Sequence, residues 1–267
     1  MDKGLLLIFV LTFVIHLIGT LAYSVRIAGT RTRRIAISLS LFNILVLVSR
    51  TSNSFAAPLL AKRVEQNIAH GLLHGRATDF RWLLLSATMA SVVGGICIPT
   101  FQRLFARYVE SFARHRSVLG VLLRGFSRIG VIHLRESIQL PHWRNVAEAR
   151  RGAHIPWSVV WWNMVAMAIW TVGVFSALYA AYLRPDLRVT SSELSAIING
   201  AATILMFVFI DPYLSMLTDE VVEGKVTEPY FRRSILWLTG SRVIGTLAAQ
   251  LLLIPAACSI VAIAQWL

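Results

Sequence analysis

Cysteine is nearly absent: Cys97 and Cys258 are the only two in 267 residues, and both sit in apolar blocks. That argues against a disulfide framework and a cysteine-based metal centre, and leaves each as a small buried hydrophobe. Acidic residues are sparse as well, 13 against 26 basic ones. No pair of carboxylates is placed for general acid-base work. There is no Gly-rich phosphate loop, so no built-in ATPase, and no Gly-x-Ser-x-Gly nucleophile elbow. No period of about 20 to 50 residues repeats, which excludes a solenoid. Lysine is the rarest charged residue, with 3 copies beside 23 arginines. Arginine holds phosphate bidentately where lysine cannot, although a GC-rich genome produces the same skew.

Apolar residues are abundant. They make up 56% of the chain, and mean hydropathy is +0.66. The surplus gathers into blocks of about 20 residues, the length that crosses a hydrocarbon core of about 30 Å. Six spans are predicted, at about 4–25, 35–57, 82–104, 157–183, 193–217 and 236–265. The fold class expected is therefore an all-α integral membrane protein, with residues 1–267 as a single transmembrane domain. The first block, Leu5 to Tyr23, is too long for a signal-peptide core and its flank (Asp2, Lys3) is barely positive, so it reads as a retained span.

A net charge of +13 does not imply nucleic acid, because the basic residues flank apolar blocks. Residues so placed set membrane orientation and contact anionic lipid. Loop one carries Arg26, Arg31, Arg33 and Arg34; segment 103–156 carries Arg103, Arg107, Arg114, Arg116, Arg124, Arg128, Arg135, Arg144, Arg150 and Arg151; loop five carries Lys225, Arg232 and Arg233. The opposite side has only Lys3, Lys62, Arg63, Arg76, Arg81, Arg184 and Arg188. The asymmetry predicts loops one, three and five in the cytoplasm and both termini outside. Residues 105–156 form a basic cytoplasmic segment between spans 3 and 4. Within 105–135, Phe105, Val109, Phe112, Leu119, Leu122, Leu123 and Phe126 recur at near-helical spacing among arginines, the composition of an amphipathic helix on an anionic leaflet.

Span two carries the strongest functional signal. Ser40, Asn43, Arg50 and Ser54 fall within about 80° of one another at 100° per residue, opposite Leu41, Leu45 and Val48. An arginine within a span costs about 3 kcal/mol on insertion scales and usually faces a protein interior. Arg50 either lines a polar cavity or snorkels to the outer interface. On span one, Thr12, His16, Gly19, Thr20 and Tyr23 share a face; His16 suits packing or proton relay. Ser195, Asn199 and Thr203 on span five read as interhelical glue. Asp211, before Pro212, can neutralise Arg50 or Arg242, or mark the interface. The run Val243–Trp266 is already long enough to span, so Tyr230–Leu238 is expected along the interface, with Arg242 at a boundary. His70 and His74 stand four apart, but no carboxylate lies between them and Gly71 and Gly75 weaken the helix. No metal, cofactor or catalytic residue is expected. Arg184-Pro185 matches one element of membrane phosphatases of the acid-phosphatase superfamily, but their Pro-Ser-Gly-His element is missing.

The run His16-Leu17-Ile18, Tyr23-Ser24-Val25-Arg26-Ile27-Ala28-Gly29, Arg31-Thr32, then Ser40-Leu41-Phe42-Asn43 and Ser49-Arg50-Thr51-Ser52-Asn53 resembles the bacterial alternate lipid II flippase family, Amj. The motif match covers about residues 1–58, and length and six-span hydropathy agree beyond it. The resemblance implies a multi-pass protein of the bacterial cytoplasmic membrane. Such a protein would move lipid II, the undecaprenyl-pyrophosphate disaccharide-pentapeptide, to the outer leaflet for peptidoglycan synthesis. The residues suit that cargo, with Arg50 for the pyrophosphate, Asn43, Asn53, Ser49 and Thr51 for sugar hydroxyls, and Arg26, Arg31, Arg33 and Arg34 to gather the headgroup. His16, Asp211 and Arg242 complete the candidate set. The partners expected are lipid II and membrane lipids. A homo-oligomer stays open, since an apolar face suits lipid or a second subunit. Two other readings compete: a non-transporting scaffold for cell-wall enzymes, docked through 105–135, and an enzyme on polyprenyl phosphates.

Overall fold

The computed structural model describes residues 2–72, 77–115, 120, 127–141 and 156–267. Every regular element among them is helical, and six helical stretches are long and apolar enough to cross a membrane. α1 runs Lys3–Thr32 and starts where the Asp2 carboxylate accepts the Leu5 amide at 2.8 Å. It ends at Arg33, left-handed at φ 54°, where the Arg33 and Arg34 amides donate to Thr30 and Gly29. That closure leaves two residues before α2 (Ile35–Ala69) turns back against it. Gly29 permits the turn: a Cβ there would lie 3.2 Å from both the Ile35 Cα and the Ser38 Cβ. Ser38 then ties the two helices by donating to the Val25 carbonyl at 2.6 Å.

α3 (Ala77–His115) packs on the other side of α1. It outruns the predicted span, with Phe105 packed against Val25 and Ala28, and Val109 against Leu41. Residues 105–115 therefore continue a spanning helix instead of lying as a separate surface helix, because their apolar side meets α1 and α2. Leu119, Leu122, Leu123 and Phe126 fall outside the described residues. The amphipathic character expected there appears in α4 (Arg128–Ser137), which exposes Val131, Ile132 and Leu134. α4 is held to α3 by Arg107 on Glu136 at 2.7 Å and by Thr100 with the Gln139 backbone.

α5 (Trp157–Leu183) and α9 (Glu228–Trp266) form the second packed pair. Their approach depends on Gly245, where a Cβ would stand 2.5 Å from the Met164 carbonyl. α9 is continuous. Tyr230–Leu238 does not lie along the interface: Phe231, Ile235 and Leu238 are buried against Tyr23, Ile27, Leu214 and Leu217, and burying them outweighs exposing them at a surface.

The fifth span is broken instead. A 3-10 turn at Pro185–Leu187 leads into α6 (Arg188–Glu193) and α7 (Ser195–Leu205), then a π-helical turn at Met206–Ile210, then α8 (Asp211–Val222). Pro212 lacks the N–H that an α-helical ladder needs. The Asp211 amide reaches back five residues to the Met206 carbonyl, which opens the wide turn. Elsewhere the outward faces are apolar, as on α9 with Ile244, Leu247 and Leu251, which suits lipid contact.

Candidate functional site: a polar cavity within the bundle

Where α1, α2, α5 and α7 meet, they line an open cavity of about 350 Å³, at whose mouth Arg50, Asn53 and Ser54 stay exposed. Its polar lining is Thr12 and His16 from α1, Ser49, Arg50, Asn53 and Ser54 from α2, Thr171 from α5 and Asn199 from α7. Ile8, Ile15, Val46, Trp170 and Phe175 supply apolar wall. The space exists because α2 presents small residues there: Ala56 and Ala57 follow Asn53 at three- and four-residue spacing, so their side chains stay short on that face. Ser54 and Thr171 donate their hydroxyls to the carbonyls four residues back, Arg50 at 3.0 Å and Met167 at 2.6 Å. Their oxygens remain free to accept.

At the cavity, two buried groups lack partners and an exposed arginine lacks an ion pair among the described residues. No ion pair among the described residues involves Arg50. His16 Nδ1 and Asn199 Oδ1 are buried without a hydrogen-bond partner. Gly173 makes room for Asn199, since a Cβ at that position would collide with its Oδ1. Donors and acceptors held unsatisfied around a cation suit a polar, anionic guest.

The structure sorts the residues singled out from sequence. It brings together His16, Ser49, Arg50 and Asn53. It leaves Asn43 and Thr51 outside: both are exposed, and the Thr51 hydroxyl is bound to the Leu47 carbonyl at 2.9 Å. Thr51 is one residue round the helix from Arg50, and Asn43 lies two turns further along. Asp211 meets neither Arg50 nor Arg242. It pairs with Arg26 at 3.4 Å, because the wide turn before it aims α8 at the end of α1. Arg31 stands 3.7 Å from Glu228, while Arg33 and Arg34 are exposed in the tight turn.

Arg242 is buried within the bundle. It is 7% exposed, with its guanidinium against Gly19 of α1 and facing Tyr23 and His16. The helix begins at Glu228, which puts Arg242 about 21 Å along it at 1.5 Å per residue, at the level where α9 packs on Gly19 of α1. Two further polar residues emerge only from the fold: Thr171, and Asn163, which donates to the Leu238 carbonyl and the Ser241 hydroxyl. An asparagine beside two tryptophans in an apolar span was the available signal. His70 is exposed with its Nδ1 2.6 Å from the Gln66 carbonyl; His74 lies outside the described residues. Among those described, no cluster of three His, Cys, Asp or Glu could hold a metal.

Six apolar helical spans, four of which contribute to a pocket lined by an arginine, hydroxyls and amides, define a multi-pass membrane protein. Comparison with known proteins places it more closely. The chain belongs to the Amj family (Alternate to MurJ), whose model matches residues 11–264. The lipid II flippase Amj of Bacillus subtilis (strain 168) is 37% identical over 265 residues, spanning 98% of this chain and 97% of its own. No solved structure matches the chain.

Proposed function

We infer that this protein is a lipid II flippase of the bacterial cytoplasmic membrane, carrying the undecaprenyl-pyrophosphate-linked precursor from the inner to the outer leaflet. The observation that carries this reading is the unpaired Arg50 in a polar cavity otherwise surrounded by apolar helices. Hydrocarbon cannot satisfy phosphate or sugar hydroxyls, so a flippase must supply those contacts itself. Arg50 can grip a pyrophosphate through parallel N–H donors. Ser49, Asn53, Thr12 and Asn199 are placed to exchange hydrogen bonds with a sugar. A cavity of about 350 Å³ suits a small ligand, so it takes the pyrophosphate and adjoining sugar while the remaining headgroup and prenyl tail stay outside.

Arg31, Arg33 and Arg34 crowd the turn between α1 and α2, on the face the charge asymmetry assigns to the cytoplasm. There they concentrate the anionic headgroup near the start of its route. Among the described residues their ion-pair partners are few: Arg31 has one long contact with Glu228, and Arg33 and Arg34 are exposed. Holding must stay loose, because a tight site would make release the slow step.

The test is lipid II exposure at the outer leaflet of bacteria depleted of their own flippase, rescued with this chain or with Arg50→Ala at matched expression. Restoration by wild type alone supports flipping with Arg50 on the route. Restoration by both keeps flipping and removes Arg50 from it. Failure of both, despite good membrane insertion, overturns the reading and favours a scaffold.

A further inference from the structure

The polar face of α1 does not stop at the cavity. Thr12, His16, Gly19, Tyr23 and Arg26 follow one another at three- and four-residue spacing, and so lie along one stripe. Thr12 and His16 open onto the cavity. Gly19 and Tyr23 lie against Arg242 of α9, and Arg26 meets Asp211 of α8. The stripe thus strings three arginines, Arg26, Arg242 and Arg50, from the turn bearing Arg33 and Arg34 to the cavity.

Arg242 is the unusual member. It is 7% exposed, its guanidinium is hydrogen-bonded to Tyr23 while its Nε has no partner, and no described carboxylate is within ion-pair range. Facing it across the interface is His16, 5% exposed, whose Nδ1 is also without a partner. A buried cation that no anion balances is unfavourable, and in a membrane protein it marks a place where charge is handled. Gly19 adds a second sign, because any Cβ there would run into the guanidinium. α1 is thus kept open at the level where Arg242 points.

We propose that Arg242 is a second anion-holding residue, and that the substrate's pyrophosphate steps along this face of α1 from Arg26 to Arg242 to Arg50. The proposal rests on the flippase reading and adds the route to it. Asp211 occupies Arg26 at the entrance, so an arriving pyrophosphate exchanges with a carboxylate instead of entering an empty cationic site. Beyond it, Arg242, balanced by no described carboxylate and hydrogen-bonded to Tyr23, draws the anion inward, with His16 and Tyr23 offering hydrogen-bonding contacts on the way to the cavity. Arg26 and His16 are ten residues apart on α1, about 15 Å. Arg242 lies between them, which divides the crossing into steps that a flexible arginine side chain can cover.

The test uses purified full-length protein in phosphatidylethanolamine–phosphatidylglycerol liposomes loaded with fluorescent lipid II. Translocation rate is read beside the thermal unfolding midpoint. The variants are Arg242→Gln, Arg242→Lys and Gly19→Ala, the last leaving every charge in place. The expected result is that Arg242→Gln slows translocation by about tenfold or more, the worth of a charge-assisted contact, while its midpoint equals or exceeds that of wild type. Arg242→Lys should recover part of the rate, and Gly19→Ala should also slow it by displacing the guanidinium. Wild-type rate in Arg242→Gln overturns the route and leaves the flippase reading standing. A lowered midpoint that tracks the lost rate, with both restored by lysine, overturns it in favour of a structural pin. A wild-type protein that moves no lipid II removes the flippase reading and this proposal together.

Discussion

Arg50 and Arg242 show how differently two intramembrane arginines can be housed. Arg50 is exposed and lines the cavity from α2, whereas Arg242 is buried. Truncating it removes charge but little packing. Arg50→Ala is therefore expected to change folding stability by no more than about 0.5 kcal/mol while suppressing translocation, which an unfolding scan beside a transport assay would check. Asn53, at the same cavity, offers one neutral hydrogen-bonding group. Asn53→Ala should slow transport by a few fold, in line with about 1 kcal/mol for such a bond. An effect as large as that of Arg50→Ala would mean that the amide, not the charge, governs binding.

The elements are held by close approach between helices, and three glycines grade it. A Cβ at Gly94 would stand 2.7 Å from the Thr20 Cβ, one at Gly245 2.5 Å from the Met164 carbonyl, and one at Gly240 would meet nothing within 4 Å. The Thr20 Cβ lies on its own rotation axis, so α1 and α3 must separate slightly to admit a methyl, and the still shorter contact with a backbone carbonyl of α5 demands more. Alanine should thus cost most at Gly245, about 1–3 kcal/mol at Gly94, and nothing at Gly240, where it favours the helix. Unfolding midpoints in detergent would give the order, and a costly Gly240→Ala would contradict this packing. The start of α1 supplies a pH dependence. Asp2 is held below the ordinary carboxylate range, chiefly by the Leu5 amide and then by Arg63. A lowered native pKa adds stability above the unfolded value, and that stability fades as pH falls through the native one. Asp2→Asn, which keeps a capping oxygen, should therefore be slightly less stable than wild type at pH 7, with the gap closing in acid below about pH 4. A gap independent of pH would deny the charge any part.

At the scale of the whole molecule, α1 lies between α2 and α3, and α5 packs on α9, while the broken fifth span touches the rest mainly through α5. The charge asymmetry orients this bundle with Arg33, Arg34 and Lys225 inside. In a background lacking Cys97 and Cys258, Leu72→Cys should react with a membrane-impermeant maleimide on intact spheroplasts. Lys225→Cys should react only after lysis. The reverse labelling would invert the topology and place the arginine-rich turn outside.

Six spans and their helical nature were legible because a bilayer demands runs of about 20 apolar residues with every backbone group satisfied within the helix. The family was legible from its resemblance over the motifs between His16 and Asn53. Arg50, Ser49, Asn53 and His16 were legible as well, since a polar residue within such a run is conspicuous whatever surrounds it. Tertiary structure decided which of them meet. It excluded Asn43 and Thr51 from the cavity, which the spacing along one helix could not do, because a cavity is defined by the helices opposite. It gave Asp211 to Arg26, through a wide turn whose geometry depends on Pro212. It also buried Arg242 against α1, because Phe231, Ile235 and Leu238 pack on α1 and α8 and carry the helix inward with them. A sequence states which groups are costly in a membrane; only packing determines which neighbours relieve that cost and which groups stay bare.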